Sequence, residues 1–337
     1  MATPAAVPRT AGRDIIVIGA SAGGIEALKA LVKGLPPDLP AALFIVQHLA
    51  PHATSWLPRI LTRGGPWPAA HPRDGEPITC GRIYVAPPDY HLTLASGHVH
   101  LSRGPKEHGV RPAIDPLFRS AASTYGPRVV GVILTGMLDD GTAGLIAVKV
   151  GGGVTVVQDP QDAPFPAMPR SALRYLEVDY CLPLAEVPSV LARLTQRPLA
   201  TGEGEIMHST SDRTTALLQE QIAAISCPDC GGTIWRVQEG ALTQFCCRVG
   251  HRYTLESLLV QHSEALERML WMALCMLEER VSGGRELANL ARHSLDQAGA
   301  EAWEQAAQEA ERHAGLVRQI LTGRARPDDS APAAGDR

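Results

Sequence analysis

The 337-residue sequence lacks the features that would mark it for nucleic acid, a membrane or export. Its 31 Lys and Arg against 35 Asp and Glu leave a formal net charge of -4, so there is no basic field to draw a polyanion, and nucleic-acid binding is disfavoured. No apolar run approaches the roughly 20 residues needed to cross a bilayer, and the opening MATPAAVPRTAGR has no apolar stretch of the kind a signal peptide requires. These absences predict a soluble, cytoplasmic protein without membrane insertion. A disulfide framework is missing too. Seven cysteines are an odd number, and four of them, Cys227, Cys230, Cys246 and Cys247, crowd into one short stretch, which suits a metal better than disulfides. Cys80, Cys181 and Cys275 are isolated and receive no role.

What is present is an ordinary globular composition, 45% hydrophobic and 20% charged, in a chain longer than one domain usually needs. From Asp14 to about Leu194 the apolar runs DIIVIG, ALFIVQ and RVVGVILTG alternate with helical segments expected from about Gly24, Thr54 and Gly141. Strands that read as continuous Val, Ile and Leu are buried on both faces, so the pattern predicts a doubly wound, mostly parallel sheet in a three-layer α/β/α, Rossmann-like fold. Period-two alternation around Ser96-Gly97 adds a hairpin insertion. The expected organisation is a disordered tail over 1–12, a catalytic domain over 13–195, a polar linker over 196–225, a metal-binding unit over 226–253, a helical hairpin over 254–323 and a disordered tail over 324–337.

Gly19-Ala20-Ser21-Ala22-Gly23 lies between the first strand and the first helix and satisfies G-x-S-x-G in the setting that motif requires. Ser21 would stand exposed on a sharp turn beside backbone N–H groups at a helix N-terminus. A phosphate loop and a plain structural turn are the alternatives. Against the first, Ser21 occupies the place of the second glycine in G-x-G-x-x-G, and no G-K-[ST] follows. A serine nucleophile needs a base, and the base an orienting carboxylate. His48 follows ALFIVQ directly, and Asp139 and Asp140 follow RVVGVILTG in GMLDDG, so all lie at the sheet edge where open α/β folds build sites. Adjacent carboxylates are not separable at this level. The order Ser, His, Asp also differs from that of α/β-hydrolases, in which histidine comes last.

Together IGASAGG, QHLAP, RPAIDPLFRSAA, LTGMLDDGTAG and FPAMPRSAL resemble the catalytic domain of the chemotaxis protein-glutamate methylesterase (CheB) family, over about Asp14 to Leu194. The resemblance implies Ser21 as nucleophile, His48 as base and Asp140 rather than Asp139 as the third member, with the backbone N–H groups of Ala22 and Met137 holding an oxyanion. It implies hydrolysis of glutamate γ-methyl esters, with glutamine deamidation as a further activity, on methyl-accepting chemotaxis receptors. Arg111 and Asp115 fall in a motif beside that site, where a structural brace competes with substrate contact. Family members typically carry an N-terminal receiver domain, whereas about twelve residues precede the first strand here, so control by phosphorylation in cis is not expected. A non-catalytic signalling module that keeps the fold for receptor docking is the rival; intact Ser21, His48 and Asp140 argue against it.

Cys227-Pro228-Asp229-Cys230 opens a C-x-x-C knuckle, and Cys247 with His251 supplies a second ligand pair suited to structural zinc. Strand alternation turns Cys246 and Cys247 to opposite faces, so only one of them can ligate, and Cys246 remains the alternative. No cofactor is expected for catalysis. Beyond Thr254, helical periodicity broken at Gly283-Gly284 predicts two helices, with Trp271 and Trp303 as core residues. Plain packing is their first expected role, with a receptor tail or a cognate receptor methyltransferase as alternative partners.

Overall fold

Every residue of β1 (Ile15–Ala20) is buried, because both faces of its sheet are covered. Side chains alternate across the strand, so Ile16 and Ile18 enter one core and Ile15 and Val17 the other. β2 (Ala42–Gln47), β3 (Ala69–Ala70), β5 (Ile83–Val85), β8 (Val129–Ile133), β9 (Val154–Gln158) and β10 (Tyr180–Leu182) complete a parallel sheet ordered β10-β9-β8-β1-β2-β5-β3. This computed structural model describes residues 12–199 and 221–323. The expected tails, apart from Gly12, and 200–220 of the expected linker lie outside the described residues.

α1 (Gly24–Lys33), α2 (Leu57–Gly64) and α6 (Val187–Gln196) share the core with Ile16 and Ile18. α3 (Ile114–Tyr125), α4 (Thr142–Val150) and α5 (Ala167–Tyr175) share the core with Ile15 and Val17. The fold is therefore the expected three-layer α/β/α. α2 starts three residues later than the reading from Thr54. The anticipated hairpin forms between β6 (His91–Ala95) and β7 (His98–Ser102), turning on Ser96-Gly97 with Gly97 at φ 78°, and β4 (Glu76–Pro77) joins the outer side of β7. Leu92, Leu94 and Val99 of this hairpin pack into the core that holds α3, which seats that helix beside the sheet edge. At the opposite edge Arg128 grips the buried Asp14 through two bonds of 2.8 and 2.6 Å, tying the start of β8 to the start of β1.

The chain separates into two compact units, one ending at Leu259 and the other beginning at Val260. The first also contains a four-stranded antiparallel sheet, β11 (Gln221–Ser226), β12 (Thr233–Glu239), β13 (Leu242–Cys247) and β14 (Arg252–Thr254). β11 occupies the end of the segment read as linker. The core of this sheet is small, built on Ile234, Phe245, Tyr253, Leu258, Cys227 and Cys247.

α7 (Leu255–His293) starts in the first unit, and α8 (Gln297–Leu321) belongs to the second. The expected break at Gly283-Gly284 does not occur: α7 runs through both glycines, and the turn falls at Ser294–Asp296, where Asp296 caps α8 by accepting from Gly299 N at 3.0 Å. The physical reason is close approach. A Cβ on Gly284 would lie 3.0 Å from the Cβ of Ala307 and 3.2 Å from the carbonyl oxygen of Trp303, so this glycine admits the neighbouring helix and does not end its own. Trp271 and Trp303 are not core residues either, being 48% and 45% exposed. The buried hydrophobic side chains of these helices are aliphatic instead, among them Leu274, Val281, Ala288, Ala300, Ala307, Ala310 and Ala314. Among the described residues no helix is long and apolar enough to cross a membrane.

Candidate active site

Ala20 and Gln47 are register partners at the ends of β1 and β2, so the residues that follow them, Ser21 and His48, emerge side by side. His48 Nδ1 lies 3.1 Å from Ser21 Oγ, and His48 Nε2 lies 2.7 Å from Asp140 Oδ2. A carboxylate only accepts, so Nε2 carries the proton toward Asp140 and Nδ1 keeps its lone pair for the serine hydroxyl. Asp140 comes from the loop between β8 and α4, on the other side of β1 from β2. Three βα junctions around the central strand thus converge at the point where the sheet reverses its winding.

Asp140 is held from several sides. Its Oδ2 accepts from Ile114 N at 2.7 Å and its Oδ1 from Asp115 N at 3.1 Å, the first N–H groups of α3, where the helix dipole favours negative charge. Burial opposes the charge, but the bond from His48, the neighbouring His108 and the Ile114 N–H hold this carboxyl well below its usual range. Asp139 points elsewhere, accepting from the Thr254 hydroxyl. Burial pushes its carboxyl up, against the opposing pull of the positive His108 and the bond from Thr254.

The turn bearing Ser21 needs its glycines for different reasons. Gly23 sits at φ 73°, while a Cβ on Gly19 would lie 2.5 Å from a methyl of Ile114. Gly24 has no room because Gln47 Oε1 would be 2.1 Å from its Cβ. That glutamine donates through Nε2 to the carbonyls of Ser21 at 2.8 Å and His48 at 3.2 Å, so one buried amide locks both loops. Gly136 packs onto the serine, where a Cβ would stand 2.9 Å from that of Ser21. Among the described residues the N–H groups of Ala22 and Met137, the expected oxyanion donors, make no hydrogen bond. Thr135 Oγ1 holds the Ala22 carbonyl at 3.0 Å.

Residues that sequence reasoning missed lie behind Asp140. His108 is buried, with Nε2 2.9 Å from Asp115 Oδ2 and 3.7 Å from Asp140 Oδ1, and Nδ1 3.6 Å from Asp139 Oδ1. Burial alone would lower its basicity, but the bond to Asp115 and the charges of Asp140, Asp115 and Asp139 prevail and push its pKa up to about 10. Neighbouring Glu107 takes two bonds from Arg119, at 2.6 and 2.9 Å, so these acids and His108 form an ion-pair network that already occupies their ligand atoms. His91 is also buried, bonded to Pro105 O at 2.9 Å and accepting from Ala113 N at 3.2 Å, and burial lowers its pKa. The EHG and DYH segments show histidines, but nothing local says which of them are buried against acids.

Arg111 does not pair with Asp115. It braces Asp89 through bonds of 2.9 and 2.6 Å and reaches the carbonyls of Arg103 and Gly104. With Lys106, Gly109 and Val110 it also walls a cavity of about 330 Å³ that opens beside His48 and Leu49–Pro51.

The four expected metal ligands come together. Cys227 Sγ, Cys230 Sγ, Cys247 Sγ and His251 Nδ1 lie within 4.8 Å of one another. Contacts of 3.4, 3.6 and 3.7 Å join His251 to Cys247, His251 to Cys227, and Cys230 to Cys247. Ligands about 2.0 to 2.3 Å from a tetrahedral centre stand roughly 3.4 to 3.8 Å apart, so the donor set fits zinc. Cys246 is not among the four and lines a cavity with Trp235, Val237, Cys247 and Arg248. The Tyr253 hydroxyl lies 3.5 Å from Cys227 Sγ and donates to Asp229, which orients the cluster from outside.

A three-layer sheet with Ser, His and Asp at its carboxyl edge defines a candidate serine hydrolase. The profile described as CheB methylesterase matches residues 16–191, about half of the chain, and the chain belongs to this family. A relative from Anaeromyxobacter dehalogenans (strain 2CP-C), "Protein-glutamate methylesterase/protein-glutamine glutaminase 2", is 42% identical over 192 residues, which are 57% of this chain and 56% of the relative. A Pyrococcus horikoshii relative named for the same two activities is 36% identical over 193 residues, 56% of this chain and 52% of its own. The chain thus spans about half the length of these relatives, whereas it covers 97% of a Leptospira interrogans relative at 40% identity over 187 residues, 55% of this chain. The Thermotoga maritima CheB methylesterase catalytic domain superposes with a TM-score of 0.52 at 36% identity, covering 54% of this chain and 98% of that one.

Proposed function

We propose that the chain is a protein-glutamate methylesterase acting on methyl-accepting chemotaxis receptors in the cytoplasm. The observation that carries this reading is the continuous path from Ser21 Oγ through His48 to Asp140, at 3.1 and 2.7 Å. Ser21 Oγ attacks the γ-carbonyl carbon of a methyl ester while its proton passes to His48 Nδ1. Asp140 compensates the imidazolium that results, and the N–H groups of Ala22 and Met137 receive the oxyanion. Collapse returns the proton from His48 to the leaving oxygen, releasing methanol. Water, deprotonated by His48, then cleaves the glutamyl ester and restores Ser21. With glutamine as substrate the same steps release ammonia, consistent with the two activities in the relatives' names.

Arg111 and Lys106 beside His48 suit a polar protein segment as substrate, and the cognate methyltransferase is a natural partner on the same receptors. Zinc on Cys227, Cys230, Cys247 and His251 has a structural role, since all four ligand positions belong to the protein and none is open for substrate. The test is methanol release from methylated receptor membranes. Wild type should release it and Ser21→Ala should not; equal release by both would exclude Ser21 from the reaction.

A further inference from the structure

The wall behind Asp140 is not completed by the α/β fold. It is closed by the segment that leaves the Cys/His sheet. Arg252 O accepts from His108 N at 2.7 Å, Ser257 Oγ lies 3.0 Å from His108 Nδ1, and the Thr254 hydroxyl donates to Asp139. Thr254 and Ser257 also cap each other at the start of α7, with Thr254 N bonded to Ser257 Oγ at 3.0 Å and Ser257 N to Thr254 Oγ1 at 3.3 Å. The side chains that meet there are buried: Ser257 and Asp115 at 0%, Asp140 at 2%, His108, Asp139 and Thr254 at 4% exposure.

We propose that Thr254–Ser257 is an arm of the esterase site, and that His108, clamped between Ser257 and three carboxylates, is a positioning residue that fixes Asp140. The inference rests on the serine-esterase reading. A positive imidazole ring has two donors and no acceptor, and both are used: Nδ1 toward Ser257 and Nε2 toward Asp115. So oriented, its charge stands 3.7 Å from Asp140 Oδ1, on the far side of the carboxylate from His48. Excluding water from this pocket strengthens the field that His108 exerts on Asp140. Removing the arm's hydroxyls leaves a buried Nδ1–H and a buried Asp139 oxygen without their partners, and the ring and the loop must then move. Integrity of the Cys/His unit is thereby transmitted to the reaction centre, about 115 residues away in sequence from Asp139 to Thr254.

The charged groups facing His108 are Asp115 and Arg119 from α3, Asp139 and Asp140 from the loop after β8, and Glu107 on its own segment. His91 lies beyond Asp140, and Glu256 acts on Asp139 from α7.

The test uses the full chain with two assays, methanol release from methylated receptor membranes and the rate at which a fluorophosphonate labels Ser21. Thr254→Val, Ser257→Ala and His108→Asn should each lower kcat by about ten- to a hundredfold with KM within about threefold, whereas Thr254→Ser should keep most of the activity. In His108→Asn the acid limb of kcat should also move to higher pH, because a positive charge that opposed protonation of the site is gone. A purely structural part would depress the rate at all pH values without moving that limb. Thermal melts identify any variant that fails to fold, and the Thr254→Val and Thr254→Ser pair decides if His108→Asn does not. Folded Thr254→Val and Ser257→Ala proteins that label and turn over like wild type would overturn the inference, as would loss of activity that Thr254→Ser fails to restore. If wild type and Ser21→Ala behave alike in both assays, the esterase reading itself falls, and the arm falls with it.

Discussion

Gln47 does for the front of the site what His108 does for the back. Its amide nitrogen holds the carbonyls of Ser21 and His48, and its carbonyl oxygen fills the space beside Gly24. Gln47→Met keeps the volume and loses both bonds. It should therefore fold and lose about tenfold in kcat, with KM little changed, in the methanol-release assay. Charge at the residue scale is also read in stability. The His108 ring, raised from 6.5 to about 10, contributes stability that is fully present below about 6.5 and disappears as pH rises through about 10. Asp140, lowered by its partners, contributes stability present above the ordinary carboxylate range and lost only as pH falls through its depressed value. Urea unfolding between pH of about 7 and about 10 should show wild type losing stability as pH rises, and His108→Asn losing less. Parallel slopes for the two proteins would mean that His108 is neutral in the fold.

At the scale of elements, the adjacent glycines of α7 make opposite predictions. A Cβ added at Gly283 would meet nothing within 4 Å, so Gly283→Ala should stabilise the helix by about 0.5 to 1 kcal/mol. Gly284→Leu must push against Ala307 and the Trp303 carbonyl and should destabilise by about 1 to 3 kcal/mol, both read from thermal melts. The pair also explains what was legible in the sequence. Runs such as DIIVIG and ALFIVQ declare buried parallel strands because burial on both faces leaves no polar alternation, and Ser96-Gly97 declares its hairpin because two-residue turns demand such residues. A glycine that ends a helix and a glycine that admits a neighbour look the same until the neighbour is known. The candidate site was legible to the same extent. Ser21 and His48 directly follow strands, where the pattern itself marks the edge of the sheet, and the loop after β8 offered both Asp139 and Asp140, between which only the family resemblance chose. His108 meets Ser257 across 149 positions, and no periodicity encodes a contact of that range.

For the molecule as a whole, the Cys/His unit is the least self-sufficient part of the first compact unit. Six buried side chains, two of them the thiols of Cys227 and Cys247, are a thin core for four strands, and small sheets of this kind are commonly held by a metal. Its ligands arise from two turns, one closed by Cys227 N to Gly232 O at 2.8 Å and the other by Cys247 N to His251 O at 3.1 Å, so the metal would crosslink two neighbouring turns at one end of the sheet. Freshly purified protein should therefore contain about one zinc per chain after extensive dialysis, since four protein ligands bind it tightly. Cys247→Ser should lose it, and Cys246→Ser, whose thiol is not in the four-ligand cluster, should keep it. Stripping the metal with a strong chelator should then lower the melting temperature and slow fluorophosphonate labelling of Ser21 together, because β14 leads directly into Thr254 and Ser257. Labelling that stays at the wild-type rate after the metal is gone would confine zinc to the sheet it crosslinks and uncouple that sheet from the reaction centre.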